Sequence, residues 1–366
     1  ADGWNLVGNP LPSPIDFTAI SRGSDVQNAY WIFDPATGTT KAWSNGVGQG
    51  GLNGILQSSQ GFWMKADGTS LTTTVDESAK VAEPLGGTFG GSLQPVLPML
   101  NLTIASNLNT YSDEAMVIFA QGSPALDGVD ALKLPFKTAG APQIGILSST
   151  GERLALDFFG SYDTAIQVPV MVDVDITGTY TITAGMAGIR ALSCLSLTDL
   201  QTGAVTPLTD GASYTFTINA GDDAGQPRFL LNGTKPVPLY VENAPCPDGE
   251  GRATVVAAQG QLGITWAGAA GIPLSSLVIG EGDVCIFPAP AGTYQVRITP
   301  GGACGELVSD FTITAPETIH SEVLQTATSC PNSTDGNLEL LLHGGTAPYD
   351  VLWSTGATGH VLNGPA

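Results

Sequence analysis

The chain has 366 residues, 33 of them acidic and only 12 basic, for a net charge of −21. That balance argues against binding to a phosphate backbone or an anionic membrane surface, both of which need clustered Lys and Arg. No run of about 18 apolar residues is present to span a bilayer. Forty-seven Gly, 25 Pro and 12% charged residues describe a turn-rich chain, long enough for two or three domains with their own cores.

Trp4, Leu6 and Val7 predict a short strand. Asn9-Pro10, followed by Pro12 and Pro14, stops it, because proline fixes φ and offers no N–H to a ladder. Residues 29–33 (AYWIF) run into the turn Asp34-Pro35-Ala36-Thr37-Gly38, and residues 61–65 (GFWMK) run into Ala66-Asp67-Gly68, which together predict a meander. Gly86, Gly87, Gly90 and Gly91 mark a turn or crossover. Beyond it, strands are predicted at 115–120, 131–134, 154–158, 168–176, 180–184, 193–199, 214–218 and 228–231, with turn residues between them. Alternating runs such as Tyr214-Thr215-Phe216-Thr217-Ile218 are common and no sustained 3.6-residue period occurs, so the fold class is all-β. Residues 1–233 read as one large β-sandwich, with a jelly roll as one form of it and a division near residue 92 as the alternative.

Residues 232–238 (NGTKPVP) form a Pro/Gly break. After it the chain repeats. Cys246-Pro247 and Asp248-Gly249 lead to a strand and then to Trp266; Cys330-Pro331 and Asp335-Gly336 lead to a strand and then to Trp353. The Cys-to-Trp separations are 20 (266 − 246) and 23 (353 − 330). A repeat of roughly 85 residues built of short strands reads as tandem Ig-like sandwiches, at 234–318 and, incomplete, at 319–366. Gly364-Pro365-Ala366 aligns by sequence with Ala289-Pro290-Ala291, so the second copy lacks the counterpart of the strand that follows.

The trio GWNLVGNPLPSP, YWIFDPATG and QGFWMK resembles a module of large secreted Bacteroidota proteins, many exported by the type IX secretion system. The resemblance continues through DGVDALKL, LALD, GTYTIT and LTDLQTG as far as Arg228-Phe229. The second repeat, with CPNSTDGN, GGTAPYDVLWSTGATG and NGPA, resembles the SprB-type repeat of Bacteroidota gliding and surface adhesins; the first departs from it at residues 260–263. These resemblances imply an extracellular or cell-surface address. Asp163-Thr164-Ala165 is similar to the Bacteroidota O-glycosylation sequon, which would place a glycan on Thr164; a plain turn is the other reading. No charged or apolar leader precedes Ala1, so the chain reads as a mature or internal piece of a longer protein.

Five cysteines, none before residue 194, favour structural pairing in an oxidising compartment, and no CxxC or His-spaced cluster points to zinc. Cys246 is expected to pair with Cys304, first strand to last, with Cys285–Cys304 as the competing choice and Cys330 pairing beyond this sequence. Cys194, on an apolar strand, reads as a small buried hydrophobe.

All three histidines, His320, His343 and His360, lie in the second repeat. The large first domain therefore has none for a Ser-His-Asp or Cys-His arrangement, and the histidines read as ordinary surface or strand residues. Asp173 and Asp175 share a strand face and read as a solvated face, a calcium site or a glycosidase pair; neighbouring carboxylates on one open strand do not flank a cleft. Asp222-Asp223 and Asp248 in Gly-rich loops are further calcium candidates without EF-hand spacing. Trp31 and Trp63 read as core, whereas Trp43, amid Lys41, Ser44 and Asn45, is the one expected to be exposed as a sugar-stacking platform.

The sequence thus predicts no catalytic residues and no cofactor beyond structural calcium. The expectation is a non-enzymatic structural or adhesin protein, a stalk of β-sandwiches partnered by further domains of the same longer chain and by a cell-surface or polysaccharide ligand. Two alternatives stay open: a carbohydrate-binding accessory region of a secreted hydrolase, and a subunit of a self-assembling surface filament that accepts a strand from a neighbour.

Overall fold

Period-two alternation of apolar residues puts successive side chains on opposite faces of a strand, and this pattern builds nearly the whole protein. A computed structural model describes residues 3–68, 72–82, 97–161, 165–189, 193–222, 225–257, 260–300, 305–331, 333–345 and 347–364. Among these the only helical segments are single 3-10 turns, so the chain is all-β. It divides into two compact units, Ala1–Pro236 and a second made of Val237–Gly301 and Glu306–Ala366.

The first unit begins with a five-stranded antiparallel sheet. Its strands are β1 (Trp4–Gly8), β2 (Ala29–Asp34), β3 (Thr39–Ser44), β4 (Val47–Gly48) and β5 (Gly61–Lys65), in the order β1-β5-β2-β3-β4. Both faces are covered. Ala29, Trp31, Ala42 and Val47 pack against Met116, Ile118, Leu134, Ala155, Leu156 and Phe158. Tyr30, Trp43, Phe62 and Met64 pack beneath Ile15, Phe17, Ile20, Leu52, Leu56 and Ala79. Burial on both sides is why AYWIF reads as a continuous apolar run rather than an alternating one.

The second sheet of this unit has eleven strands: β6 (Met99–Ser106), β7 (Ser112–Ile118), β8 (Ala131–Leu132), β9 (Gln143–Leu147), β10 (Arg153–Phe158), β11 (Ile166–Asp173), β12 (Gly178–Ala187), β13 (Leu195–Asp199), β14 (Val205–Leu208), β15 (Ser213–Ile218) and β16 (Phe229–Gly233). The order is β14-β13-β16-β11-β9-β10-β7-β6-β12-β15, with β8 alongside β10. All these pairings are antiparallel except β7 with β10, which run parallel.

This sheet curls over itself into a sandwich. β15 lies at one edge and β16 near the other, yet the Phe216 and Phe229 rings meet at 4.8 Å and the Tyr214 hydroxyl donates to Asp199 Oδ2 at 2.9 Å. The enclosed core runs from Leu100, Leu102 and Ile104 through Val168, Val170 and Ile182 to Leu231.

In the second unit, β17 (Leu239–Glu242), β18 (Glu250–Val256) and β21 (Val284–Pro290) form one sheet in the order β17-β18-β21. Facing it is the sheet of β19 (Leu262–Gly268), β20 (Pro273–Ile279), β22 (Gly292–Pro300) and β23 (Leu307–Ile313), in the order β20-β19-β22-β23. Trp266, 1% exposed, stacks on Phe287 at 5.1 Å and meets Phe311 edge-on at 5.8 Å. The remaining strands, β24 (His320–Thr326), β25 (Asn337–His343) and β26 (Val361–Asn363), make a sheet in the order β24-β25-β26.

That last order repeats β17-β18-β21, and so does its register. Glu250 pairs with Pro290 as Asn337 pairs with Asn363, and Gly251 with Ala289 as Leu338 with Leu362. Pairing therefore aligns Leu362-Asn363 with Ala289-Pro290, two residues away from the alignment read off the Gly-Pro-Ala and Ala-Pro-Ala letters.

Trp43 corrects the expectation of an exposed platform. It is 2% exposed, stacked on Tyr30 at 5.5 Å and edge-on to Phe17 at 5.6 Å. Its polar neighbours misled because they are satisfied internally. Lys41 pairs with Glu114 Oε1 at 3.0 Å, and the Ser44 hydroxyl donates to the Val129 carbonyl at 2.7 Å. Gly54 (φ +89°) lets the chain run close past the indole, where an added Cβ would meet Trp43 at 3.0 Å. Trp43→Ala is expected to lower the stability of the first unit by about 3–5 kcal/mol, the usual cost of emptying a Trp-sized core site. Denaturant unfolding followed by near-ultraviolet circular dichroism measures this; an unchanged midpoint would return Trp43 to the surface.

Candidate functional site

The densest buried polar cluster lies where the five-stranded sheet meets the curled one. Glu114 on β7 is its hub: its carboxylate takes Lys41 at 3.0 Å and the Asn101 amide at 2.9 Å. Its backbone carbonyl accepts from Gln49 Nε2 at 2.7 Å and from Lys133 Nζ at 3.0 Å. Gln49 spans the seam, donating also to the Ala155 carbonyl at 3.2 Å and accepting the Ala42 N–H at 3.0 Å.

Beside this hub, Lys133 Nζ lies 2.5 Å from Asp113 Oδ2, with side chains 1% and 0% exposed. Burial pushes the Lys133 ammonium below its ordinary range, against the pull of Asp113. Burial also lowers the Arg153 guanidinium. Gly145 makes room for Arg153, since a Cβ there would sit 2.7 Å from Arg153 Cγ. These groups stand at the seam between the two sheets.

A second group of acids stands at the end of β10. Asp130 accepts the Phe158 N–H at 2.7 Å and the Asp127 N–H at 2.8 Å, and Asp127 accepts the Val129 N–H at 3.0 Å. Asp157 is 1% exposed and its Oδ1 has no hydrogen-bond partner among the described residues. Burial, reinforced by the charges of Asp130 and Asp127, pushes Asp157 up to about 8. Burial, with Asp127 adding to it, pushes Asp130 to about 6 against its two N–H donors.

A third buried pair fastens the curl itself. Arg228 Nη2 meets Asp199 Oδ2 at 3.0 Å, at 2% and 0% exposure, while Arg228 Nη1 donates to Gln201 Oε1. Burial raises Asp199, but Arg228, the Gln201 N–H and the Tyr214 hydroxyl outweigh it and hold the carboxylate below its usual range.

The residues singled out by sequence take other places. Lys137 bridges Asp173 and Asp175 at 3.5 and 3.0 Å, and Asp175 also accepts the Gly140 N–H at 3.0 Å. Burial pushes Asp175 up, but those partners hold it below the usual range. One lysine thus bridges both carboxylates. Asp222 accepts from the backbone and side-chain nitrogens of Asn219 at 3.2 and 2.8 Å, closing its own turn. Asp248 is exposed in the turn after Cys246, and Asp223 lies outside the described residues. Among the described residues no three His, Cys, Asp or Glu gather so as to hold a metal ion.

Cys246 is a free, exposed thiol, so the disulfide expected of it is not made; Cys304 lies outside the described residues. The turn at 246–249 directs Cys246 outward, whereas Cys285 is free and buried against Trp266, whose indole N–H points to its sulfur at 3.3 Å. Cys194 is buried, as expected, but disulfide-bonded. Thr164 also lies outside the described residues. His320 and His343 face each other across β24 and β25, and both are exposed, as is His360.

A shallow groove of about 450 Å³ opens on the first unit, lined by Ala105, Ser106, Asn107, Thr179, Thr181 and Thr215. It offers hydroxyl and amide groups without charge or aromatic rings. No known protein family matches this chain, and no curated protein is significantly similar to it.

Two measurements follow from this geometry. An unfolded carboxyl titrates near 4, so the raised values of Asp130 and Asp157 mean stability present below about pH 4 that is lost as pH rises through 6 and 8. The melting midpoint is expected to fall by several degrees over that window, and Asp157→Asn to flatten the upper part; a pH-independent difference between the two proteins would refute the assignment. In native protein without reductant, iodoacetamide should modify Cys246 and Cys330, both exposed, within minutes, and Cys285 only after unfolding.

Proposed function

We propose that this chain is a non-enzymatic extracellular or cell-surface protein of the Bacteroidota type, exported by a type IX-like route and serving as a structural or adhesin stalk of Ig-like and larger β-sandwich domains. The observation that carries the reading is the recurrence of one sheet, β17-β18-β21, as β24-β25-β26 with the same order and register. Serial repeats of a small sandwich make length rather than a cleft. The buried polar groups of the first unit support it, because the ion pairs among them hold strands together and none of the buried charged residues lines the described groove. The acidic excess suits a rod that stays in solution and repels its neighbours.

Self-assembly into a filament is the second reading, favoured by the apolar surface of the last sheet. Val323 is 51% exposed and Val361 44%, and nearby Leu352 reaches 74%. A sheet face of that kind is a surface for strand or sheet addition.

Immunogold labelling of unpermeabilised cells, with antibody against residues 239–300, tests the stalk. Gold fixed to the envelope or along filaments is the expected result. Antigen shed into the medium together with a glycan-degrading activity would instead make the chain an accessory region of a secreted hydrolase. Sedimentation of the purified chain separates a monomeric stalk from a filament subunit, which would grow with concentration.

A further inference from the structure

The Lys133–Asp113 pair has features that an ordinary ion pair does not need. Both side chains are sealed from solvent, at 1% and 0% exposure. Nζ is held by two acceptors, Asp113 Oδ2 at 2.5 Å and the Glu114 carbonyl at 3.0 Å. Oδ2 also receives the Ile144 N–H at 2.9 Å, whereas Oδ1 is buried with no hydrogen-bond partner among the described residues. Burying two separate charges is expensive, and transfer of one proton from nitrogen to oxygen removes both. Burial lowers Lys133 in the direction this requires. The result is an amine nitrogen against a carboxylic acid in a site without room for bulk water.

We propose that Lys133 and Asp113 join through an intramolecular amide, formed by the folded chain on itself. The ammonium gives one proton to Oδ2, the carboxylate oxygen it touches. The freed Nζ lone pair attacks Cγ of Asp113, forming the N–C bond, and negative charge gathers on Oδ1. Oδ2, carrying that first proton and taking a second one from nitrogen, leaves as water, and Oδ1 becomes the amide oxygen. The third nitrogen proton stays on the amide, and nothing is oxidised or reduced.

Fixed proximity supplies the driving geometry, since well-aligned intramolecular groups act as if present at about 10⁵ M or more. Arg153, whose guanidinium bears on Asp113 electrostatically, adds positive charge beside the developing oxyanion. The link would tie β7 to the segment after β8, two pieces of chain that meet at the seam between the sheets. Pulling the chain ends could then not unravel residues 113–133. This inference is independent of export: a missing amide would leave the stalk reading in place, and a shed protein would leave the amide in place.

The test is the intact mass of the purified, reduced and denatured 366-residue chain, followed by tryptic peptide mapping. The expected result is a mass one water short of the sequence, with trypsin unable to cut after Lys133, so that residues 81–137, which hold both Asp113 and Lys133, are recovered as a single peptide one water light. Lys133→Arg and Asp113→Ala should each restore the full sequence mass less the substitution. Because the unsubstituted chain gives the deciding mass, a variant that folds poorly leaves the result intact. A full-length mass with Lys133 open to acetylation after denaturation would overturn the proposal. So would a water loss mapped to an Asp-Gly step such as Asp127-Gly128.

Discussion

The first unit depends on how buried charge is disposed of where its two sheets meet. Trp31 and Ala42 supply apolar contact across that seam, but apolar contact alone tolerates sliding. The Gln49 amide cannot slide: it must find the Glu114 and Ala155 carbonyls on neighbouring strands while accepting from Ala42. Lys41 must reach Glu114, the Trp31 indole N–H must reach the Leu132 carbonyl at 2.8 Å, and the Thr40 hydroxyl must reach the Leu134 carbonyl at 3.2 Å. A one-residue slip would turn each of these groups to the wrong face and leave it buried without a partner, at about 1–3 kcal/mol apiece. The seam therefore fixes one register between two sheets that otherwise hold separate cores.

The same logic governs the curled sheet. β15 and β13 sit toward opposite edges of the strand order, and nothing in backbone pairing obliges them to meet. Arg228 is placed to make them do so. Its guanidinium lies 5.3 Å from the Phe216 ring centroid and 5.6 Å from that of Phe229 while holding Asp199. A cation over aromatic faces in a desolvated site is worth about 2 kcal/mol, and the bond to Tyr214 on the opposing strand adds direction. Curling buries the inner face that an open eleven-stranded sheet would expose, which is how a chain with few charges avoids a large apolar patch.

Alternation and punctuation made the strands legible. The aromatic runs at 29–33 and 61–65 and the Thr-alternating run at 214–218 lie within observed strands, because local pattern and burial agree there. Trp43 failed for a reason that local pattern cannot see: Lys41 and Ser44 look solvated in sequence and are paired across the seam. The sites that matter most had a signal that went unused. Lys133 in ALKLPF and Asp157 in LALDFF are single charges inside apolar runs, and a lone charge there must find a buried partner or lose its charge. Which partner it finds is a long-range fact: Asp113 reaches Lys133 only once β10 lies between β8 and β7. The Cys246 pairing failed similarly: the sequence read it as a first-strand residue, but it stands exposed in the turn before β18.

The two repeats show how far sequence likeness carries into packing. Their three-stranded sheets share order and register, yet the first buries Ala253 and Val255 on β18 and closes Trp266 beneath Phe287 and Phe311. In the equivalent positions of β25, counted from the Asp-Gly turns, stand Leu340 and Leu342, larger residues that are only half-buried. Trp353 donates its indole N–H to the Gly359 carbonyl at 2.8 Å within its own turn, and Leu352 pairs only in an isolated bridge with Thr358. The cause lies in the facing sheet. In the first repeat β19 is held between β20 and β22, and that four-stranded layer covers β18. Among the described residues the second repeat presents no such layer, so its leucines keep an apolar face that the first repeat has already satisfied.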